Sequence, residues 1–362
     1  MTKKFHLGWF MNFTPPDWES EWASPDVAQW ANGRFYVDMA RAMERACFDF
    51  MMIEDTVMVA DAYGGTMEGS LKNAIFAPKQ DPVPLAIQVA CNTTNLGVVA
   101  TMSTSFYPPY LLARLCSTAD SIAQGRFGWN IVSSAEDRAA QNFGLEGLPE
   151  HDERYNVAEE YFDVVNQLWD SWEADAVVMD RQTHTFADYR KVHTIDFDGK
   201  YFKSRGPLNT VPSPQHRPTF LQAGASPKGR QFAAGAADAI IAVGTGVEGM
   251  KEYRDDVRAR AKASGRNPDD IKLFFVVSPT IAAAISSATC AGVPMNSIPN
   301  DAAAIASWRS VLGPGVPSPR MKCSREPRSP LVVRSAGSGS SRSNCLKSIS
   351  VFDEILTNDF SM

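Results

Sequence analysis

The side chains able to do chemistry sit where apolar runs end. Asp55 follows FDFMMIE, Ser103 and Thr104 close LGVVATMST, and Ser133 and Ser134 close FGWNIVSS. His151 and Tyr155 stand four apart in EHDERY, so a helix there carries both on one face. Ser226 precedes Pro227 in QAGASPKGR, the order of a capping hydroxyl and a first helical residue. Free amides at such a start attract an anion, phosphate above all. These are the parts of a polar ligand site, and none is assignable as a catalytic residue. No Ser/His/Asp triad assembles, the five histidines lack HExxH metal spacing, and there is neither a Walker loop nor a GxGxxG turn. Each part also has a plainer use. Asp55 serves equally as a helix cap, the QAGAS run as an ordinary connection, and His151 as an exposed helix start.

The segments that position these residues alternate between strand and helix patterns. Strands are expected at 5–12, 48–54, 96–104, from 125 to Ser133-Ser134, and at 219–223, 239–243 and 271–281. Helices are expected at 81–91, 107–124, 155–172, 226–236 and 247–264. An earlier amphipathic helix should bury Phe35, Met39, Ala42, Met43 and Ala46. An excursion over about 174–216 breaks the rhythm, with a hairpin signal at Asp198-Gly199. Strands alternating with helices imply a parallel sheet in an α/β chain. A TIM (β/α)8 barrel is favoured over an open doubly wound sheet. A barrel gathers every polar strand end around one site, whereas an open sheet binds mainly at one switch point.

Composition narrows the class. The chain has 362 residues, 44% hydrophobic and net charge −6, as expected of a soluble globular protein. That acidic balance, without a basic stripe, gives no support for nucleic acid as a partner. No apolar run reaches the roughly 18 residues of a membrane span, and MTKKFHLGWF passes straight into a strand pattern, so a cytoplasmic protein is expected. The six cysteines have no CxxC spacing, and Cys47, Cys91 and Cys116 read as core thiols rather than as a disulfide or zinc framework. Beyond about Ile281 the chain turns rich in Ser, Pro, Arg, Ala and Gly without periodicity. Residues 1–281 are therefore expected to form the barrel core, and 282–362 a tail that is disordered or out of the original reading frame.

The motifs ERACFDFMMIED, ATMSTSFYPPY, GRFGWNIVSS, EHDERY, LWDSW, FDGKYFKSRGPLN and QAGAS occur in one order. In that order they resemble the bacterial luciferase-like flavin monooxygenases, in the branch with nitrilotriacetate, dibenzothiophene-sulfone and long-chain alkane monooxygenases. The resemblance implies a luciferase-like TIM barrel, incomplete at the C-terminus because the tail matches nothing of the family's eighth strand. It implies a monooxygenase that uses FMN, bound reduced as FMNH2, with O2 as co-substrate. A separate NAD(P)H:flavin reductase would supply the FMNH2, and the substrate would be a small organic compound cleaved at a C–N or C–S bond. By motif, Asp55, Ser103, Ser134, His151, Tyr155 and Ser226 would line the flavin site. A complete barrel of this type would be a homo-oligomer. Ala135 stands where the alkane-oxidising relatives carry a histidine, so their substrates do not transfer. The alternatives are a truncated, inactive relative and a deazaflavin-dependent oxidoreductase on a similar barrel.

Overall fold

A computed structural model describes residues 5–16, 18, 25–244 and 246–277, without the side chains of 25–27 and 63. The tail after Ile281 and any eighth strand lie outside the described residues. Strands β1 (Gly8–Asn12), β2 (Phe50–Glu54), β3 (Gly97–Ser103) and β4 (Phe127–Val132) come first. Two small antiparallel pairs follow, β5 (Val177–Asp180) with β6 (Thr185–Ala187) and β7 (Phe197–Asp198) with β8 (Lys203–Ser204). β9 (Thr219–Gln222), β10 (Ala239–Ala242) and β11 (Lys272–Phe275) then complete a seven-stranded sheet.

Every pairing in that sheet is parallel, and its order is β1-β2-β3-β4-β9-β10-β11. The order never reverses, so there is no switch point, and the open doubly wound alternative is excluded. The sheet also curls. Phe50 of β2 meets Phe274 of β11 edge-on, with ring centroids 5.0 Å apart, and Met52, Val99, Leu221 and Ile241 share one interior cluster. Buried on both faces, β3 and β4 read as apolar runs rather than as alternations.

Helices α1 (Arg34–Arg45), α2 (Glu68–Asn73), α3 (Pro82–Asn92), α4 (Pro109–Ile122), α5 (Asp137–Gln141), α6 (His151–Trp169), α7 (Pro227–Ala236) and α8 (Gly246–Ala263) lie between the strands. α3 starts where Asp81 accepts from the Val83 N–H at 2.8 Å, with Pro82 first in the helix. The main core lies between sheet and helices around Trp129, whose Nε1–H donates to the Met102 carbonyl at 2.9 Å. Trp129 is fully buried and meets Tyr161 and Phe220. Trp129→Ala should cost about 3–5 kcal/mol, from the cavity and the lost donor together. Urea unfolding checks this; a loss below about 1 kcal/mol would show that the site collapses freely.

Several expectations are corrected. In α1 the buried residues are Tyr36, Val37, Ala40 and Met43; Phe35 is 46% exposed and Ala42 and Ala46 are also exposed. The helix is turned because the Tyr36 hydroxyl donates to the Thr14 carbonyl, drawing the neighbouring stripe inward. Among the described cysteines only Cys116 is a core thiol, since Cys47 and Cys91 are exposed. Cys47 lies in the turn after α1 with φ +63°, and Cys91 lies on the outer face of α3. Trp172 falls past the end of α6 and donates instead to the Leu208 carbonyl at 2.7 Å. The Asp198-Gly199 pair opens a four-residue connection, closed by Gly199 N–H on the Phe202 carbonyl at 2.9 Å. The Glu160 carboxylate holds that turn by accepting from the backbone N–H groups of Lys200, Tyr201 and Phe202. No helix among the described residues is long and apolar enough to cross a membrane.

Candidate functional site

The residues singled out in the sequence all lie at or beyond the C-terminal ends of the sheet strands, where parallel (β/α) scaffolds bind ligands. Their contacts fall into three groups. Ser103 is the last residue of β3, and its Oγ accepts from Ser134 Oγ at 2.8 Å. Ser134 reaches it by adopting φ +59°, left-handed backbone that costs an L-residue about 1–2 kcal/mol. That strain turns the chain after β4 and points the hydroxyl back across the neighbouring strand end.

The second group is a cradle at the start of α7. Ser226 caps the helix, its Oγ accepting from the Gly229 N–H at 3.0 Å. A Cβ on Gly229 would lie 2.6 Å from Tyr155 Oη and 3.1 Å from Ser226 Oγ, so both hydroxyls converge over a backbone position kept bare. A Cβ on Gly224 would meet the Gly229 carbonyl oxygen at 2.5 Å, which is why the turn from β9 can close so tightly. Tyr253 Oη donates to the Gly224 carbonyl and pins the turn from α8. Tyr155 is nearly buried, while His151, one turn earlier, stands half-open with its ring edge-on to Tyr155 at 5.1 Å. His151 Nδ1 shares a hydrogen bond of 2.8 Å with Asp152.

The third group surrounds Asp55, immediately after β2. Burial pushes its carboxyl up to about 7; Lys79 opposes that rise, and the Glu54 and Asp81 charges add to it. Lys79 is only 4% exposed and is ion-paired to Glu54, the last residue of β2.

Residues not singled out in the sequence complete the strand-end layer. Asn12 pairs in register with Glu54, and Thr101 with Asn130. Extending the β2–β3 register by one residue sets Glu54 beside Thr101. Asn12, Glu54, Thr101 and Asn130 thus form one polar layer inside the curl. Asn130 Nδ2 donates to Thr101 Oγ1 at 2.9 Å, yet Asn130 Oδ1 and Asn12 Oδ1 are buried without a partner. Two unsatisfied amide oxygens at one level call for a donor from outside the protein. The signal for Asn130 is an Asn inside an otherwise apolar run, and for Gly229 a glycine three residues past a capping serine. A cavity of about 330 Å³ opens between the loops after β2 and β4, with Met58, Ala60 and Ala62 against Asp61, Glu136, Asp137 and Arg138.

A parallel, sequentially ordered, curled sheet with polar strand ends places the chain among α/β barrel proteins, which bind their ligands at the C-terminal face. Residues 6–301 match the family described as luciferase-like monooxygenase, and the chain belongs to that family. It is 37% identical over 282 residues to the dibenzothiophene-sulfone monooxygenase of Rhodococcus erythropolis strain XP, covering 77% of this chain and 62% of that one. It is 41% identical over 256 residues to the dimethyl-sulfide monooxygenase of Hyphomicrobium sulfonivorans, covering 70% and 53%. Among solved structures, a riboflavin lyase with modified FMN and riboflavin superposes with TM-score 0.74 at 33% identity, over 84% of this chain and 69% of that one. The chain thus spans little more than half to about three-fifths of the length of these curated relatives.

Proposed function

We propose that the chain is the oxygenating component of a two-component FMN-dependent monooxygenase acting on small, uncharged organosulfur compounds. The observation that carries this is the Ser226–Gly229–Tyr155 cradle, set at the same barrel end as two orphaned amide oxygens. The residues fit FMN. The cradle suits the phosphate, and Ser103, Ser134 and His151 offer hydroxyl and imidazole partners for the ribityl chain. Asn12, Asn130 and Asp55 offer acceptors for ring N–H groups. Reduced flavin, when bound, supplies the electrons with which O2 is activated. The protein's share is to orient that ring, to exclude water, and to hold the proton balance through Asp55. The FMNH2 comes from a separate NAD(P)H:flavin reductase, the partner expected of this branch.

The charge of the cavity supports this substrate class. Its three carboxylates outnumber its single guanidinium, which is already paired with Asp61 at 3.2 Å. A neutral sulfide or sulfone enters over Met58, Ala60 and Ala62, while a polycarboxylate meets like charge. Anaerobic titration should show saturable FMNH2 binding, and the absence of binding by folded protein would refute the flavin role. With reductase, NADH and O2, KM for dimethyl sulfide or dibenzothiophene sulfone should be at least about tenfold below that for nitrilotriacetate, as a like-charge penalty of about 1.4 kcal/mol requires. Equal KM values would overturn the charge argument.

A further inference from the structure

Lys79 is the charged side chain most thoroughly withdrawn from water in the strand-end layer, at 4% exposure, and its partner Glu54 is 23% exposed. The flavin proposal gives neither residue a task. An ion pair is costly to bury, because both groups lose hydration that their attraction only partly returns, so it calls for an explanation beyond stability. Glu54 Oε1 also accepts from Thr56 Oγ1 at 2.8 Å, which fixes the carboxylate from its other side. The pair is thus held in one geometry beside Asp55.

The groups facing Asp55 come from four places. They are Glu54 on β2, Lys79 in the segment before α3, Asp81 at the cap of α3, and Tyr107 in the turn before α4. Asp81 is committed to the Val83 N–H. Lys79 thus sets a positive charge against the negative charges of Glu54 and Asp81 that act on Asp55. We propose that Lys79 is a positioning residue for the flavin site: locked on Glu54 out of water, its ammonium offsets part of the effect of burial on the neighbouring Asp55 carboxyl, so that at neutral pH a share of the molecules carries the charged form that accepts hydrogen bonds from the bound flavin. A protonated Asp55 becomes a donor, with the wrong polarity for ring N–H groups. The role rests on the flavin reading above. Geometry supports it through the contact with Glu54, and electrostatics through sign, since Lys79 is the main influence that opposes burial at Asp55.

The test reads the Asp55 carboxyl directly, by 13C NMR of aspartate-labelled protein, its resonance assigned by loss in Asp55→Asn. Lys79→Met should move the titration midpoint alkaline by at least about one pH unit, the usual effect of losing an adjacent opposite charge. Lys79→Arg should leave it within a few tenths of a pH unit, whereas Glu54→Gln should move it toward acid. Opposite movements from the two halves of one ion pair are not what a merely structural pair produces. FMNH2 affinity of Lys79→Met should fall about fivefold at pH 7 and recover by about pH 9, since moving the midpoint up one unit from about 7 cuts the charged fraction at pH 7 from about one half to about one tenth. Coincident titrations in Lys79→Met and the parent, or an alkaline movement in Glu54→Gln, would overturn the proposal. If Lys79→Met does not fold, Glu54→Gln carries the test alone, and an unmoved midpoint overturns it. No FMNH2 binding by the parent at any pH defeats the flavin reading and this role with it. Binding whose pH profile is unmoved in Lys79→Met defeats the role alone.

Discussion

Asp55→Asn should make the protein more stable and less able to bind flavin, and the gain should grow with pH. Asp55 titrates near 7 in the folded chain against 3.8 for an ordinary aspartate, mainly because it is buried. Between those values the folded state holds a proton that the unfolded chain has released. Stability therefore falls as pH rises through the window, and the whole cost persists above it. At about 1.4 kcal/mol per pH unit, and allowing for partial access of water, the cost at pH 8 is on the order of 2–4 kcal/mol. Asn carries no such cost. Urea unfolding of parent and variant should give nearly equal stability at pH 4, and a gap of this size in favour of Asn at pH 8. A gap independent of pH would show that Asp55 is not an aspartate held against its own ionisation. The accompanying loss of FMNH2 affinity, expected at tenfold or more for a charged acceptor, is the exchange of stability for function that ligand sites make.

The second large effect is expected at Gly229. On helix propensity alone Gly229→Ala should stabilise α7 by about 1 kcal/mol. The new Cβ, however, would stand 2.6 Å from Tyr155 Oη and 3.1 Å from Ser226 Oγ, so the side chains of the cradle must give way. The variant should therefore fold as well as its parent while its preference for FMN over riboflavin drops by about 10²-fold, the loss of two or more charge-assisted hydrogen bonds. Ser226→Ala should show a smaller loss of that preference, together with about 1 kcal/mol of stability for the missing cap. Gly224→Ala is the contrasting case. Its Cβ would meet backbone, the Gly229 carbonyl oxygen at 2.5 Å, so folding itself should suffer. Calorimetry with FMN and riboflavin, alongside thermal unfolding, separates the three. An unchanged FMN preference in Gly229→Ala would remove the phosphate from this helix start.

Much of the fold is legible along the chain, because the deciding forces act over a few residues. Apolar runs ending in Asp or Ser locate the strands and the end of the sheet that matters, and Ser226-Pro227 locates the α7 cap. Spacing alone puts His151 and Tyr155 on one helix, and the structure sets their rings 5.1 Å apart. The local pattern misleads where a distant contact outvotes it. Periodicity turns Phe35 inward, but α1 is rotated by the hydrogen bond of Tyr36 to Thr14, twenty-two residues away. Cys91 reads as core from its apolar neighbours, yet the face of α3 that meets the sheet is the other one.

The sequence by itself determined the alternation of strands and helices, their caps, and the polar residues delivered to the strand ends. These depend on backbone periodicity and on hydrogen bonds closed within a turn or two. Only the tertiary structure decided which of those residues act together. Asn12 and Asn130 share a layer because four strands pair in one register and the sheet curls. Lys79, from a loop with no pattern of its own, meets Glu54 across 25 residues and brings its field to bear on Asp55. Charge, unlike helical spacing, acts through space rather than along the chain, so the protonation of Asp55 is a property of the fold.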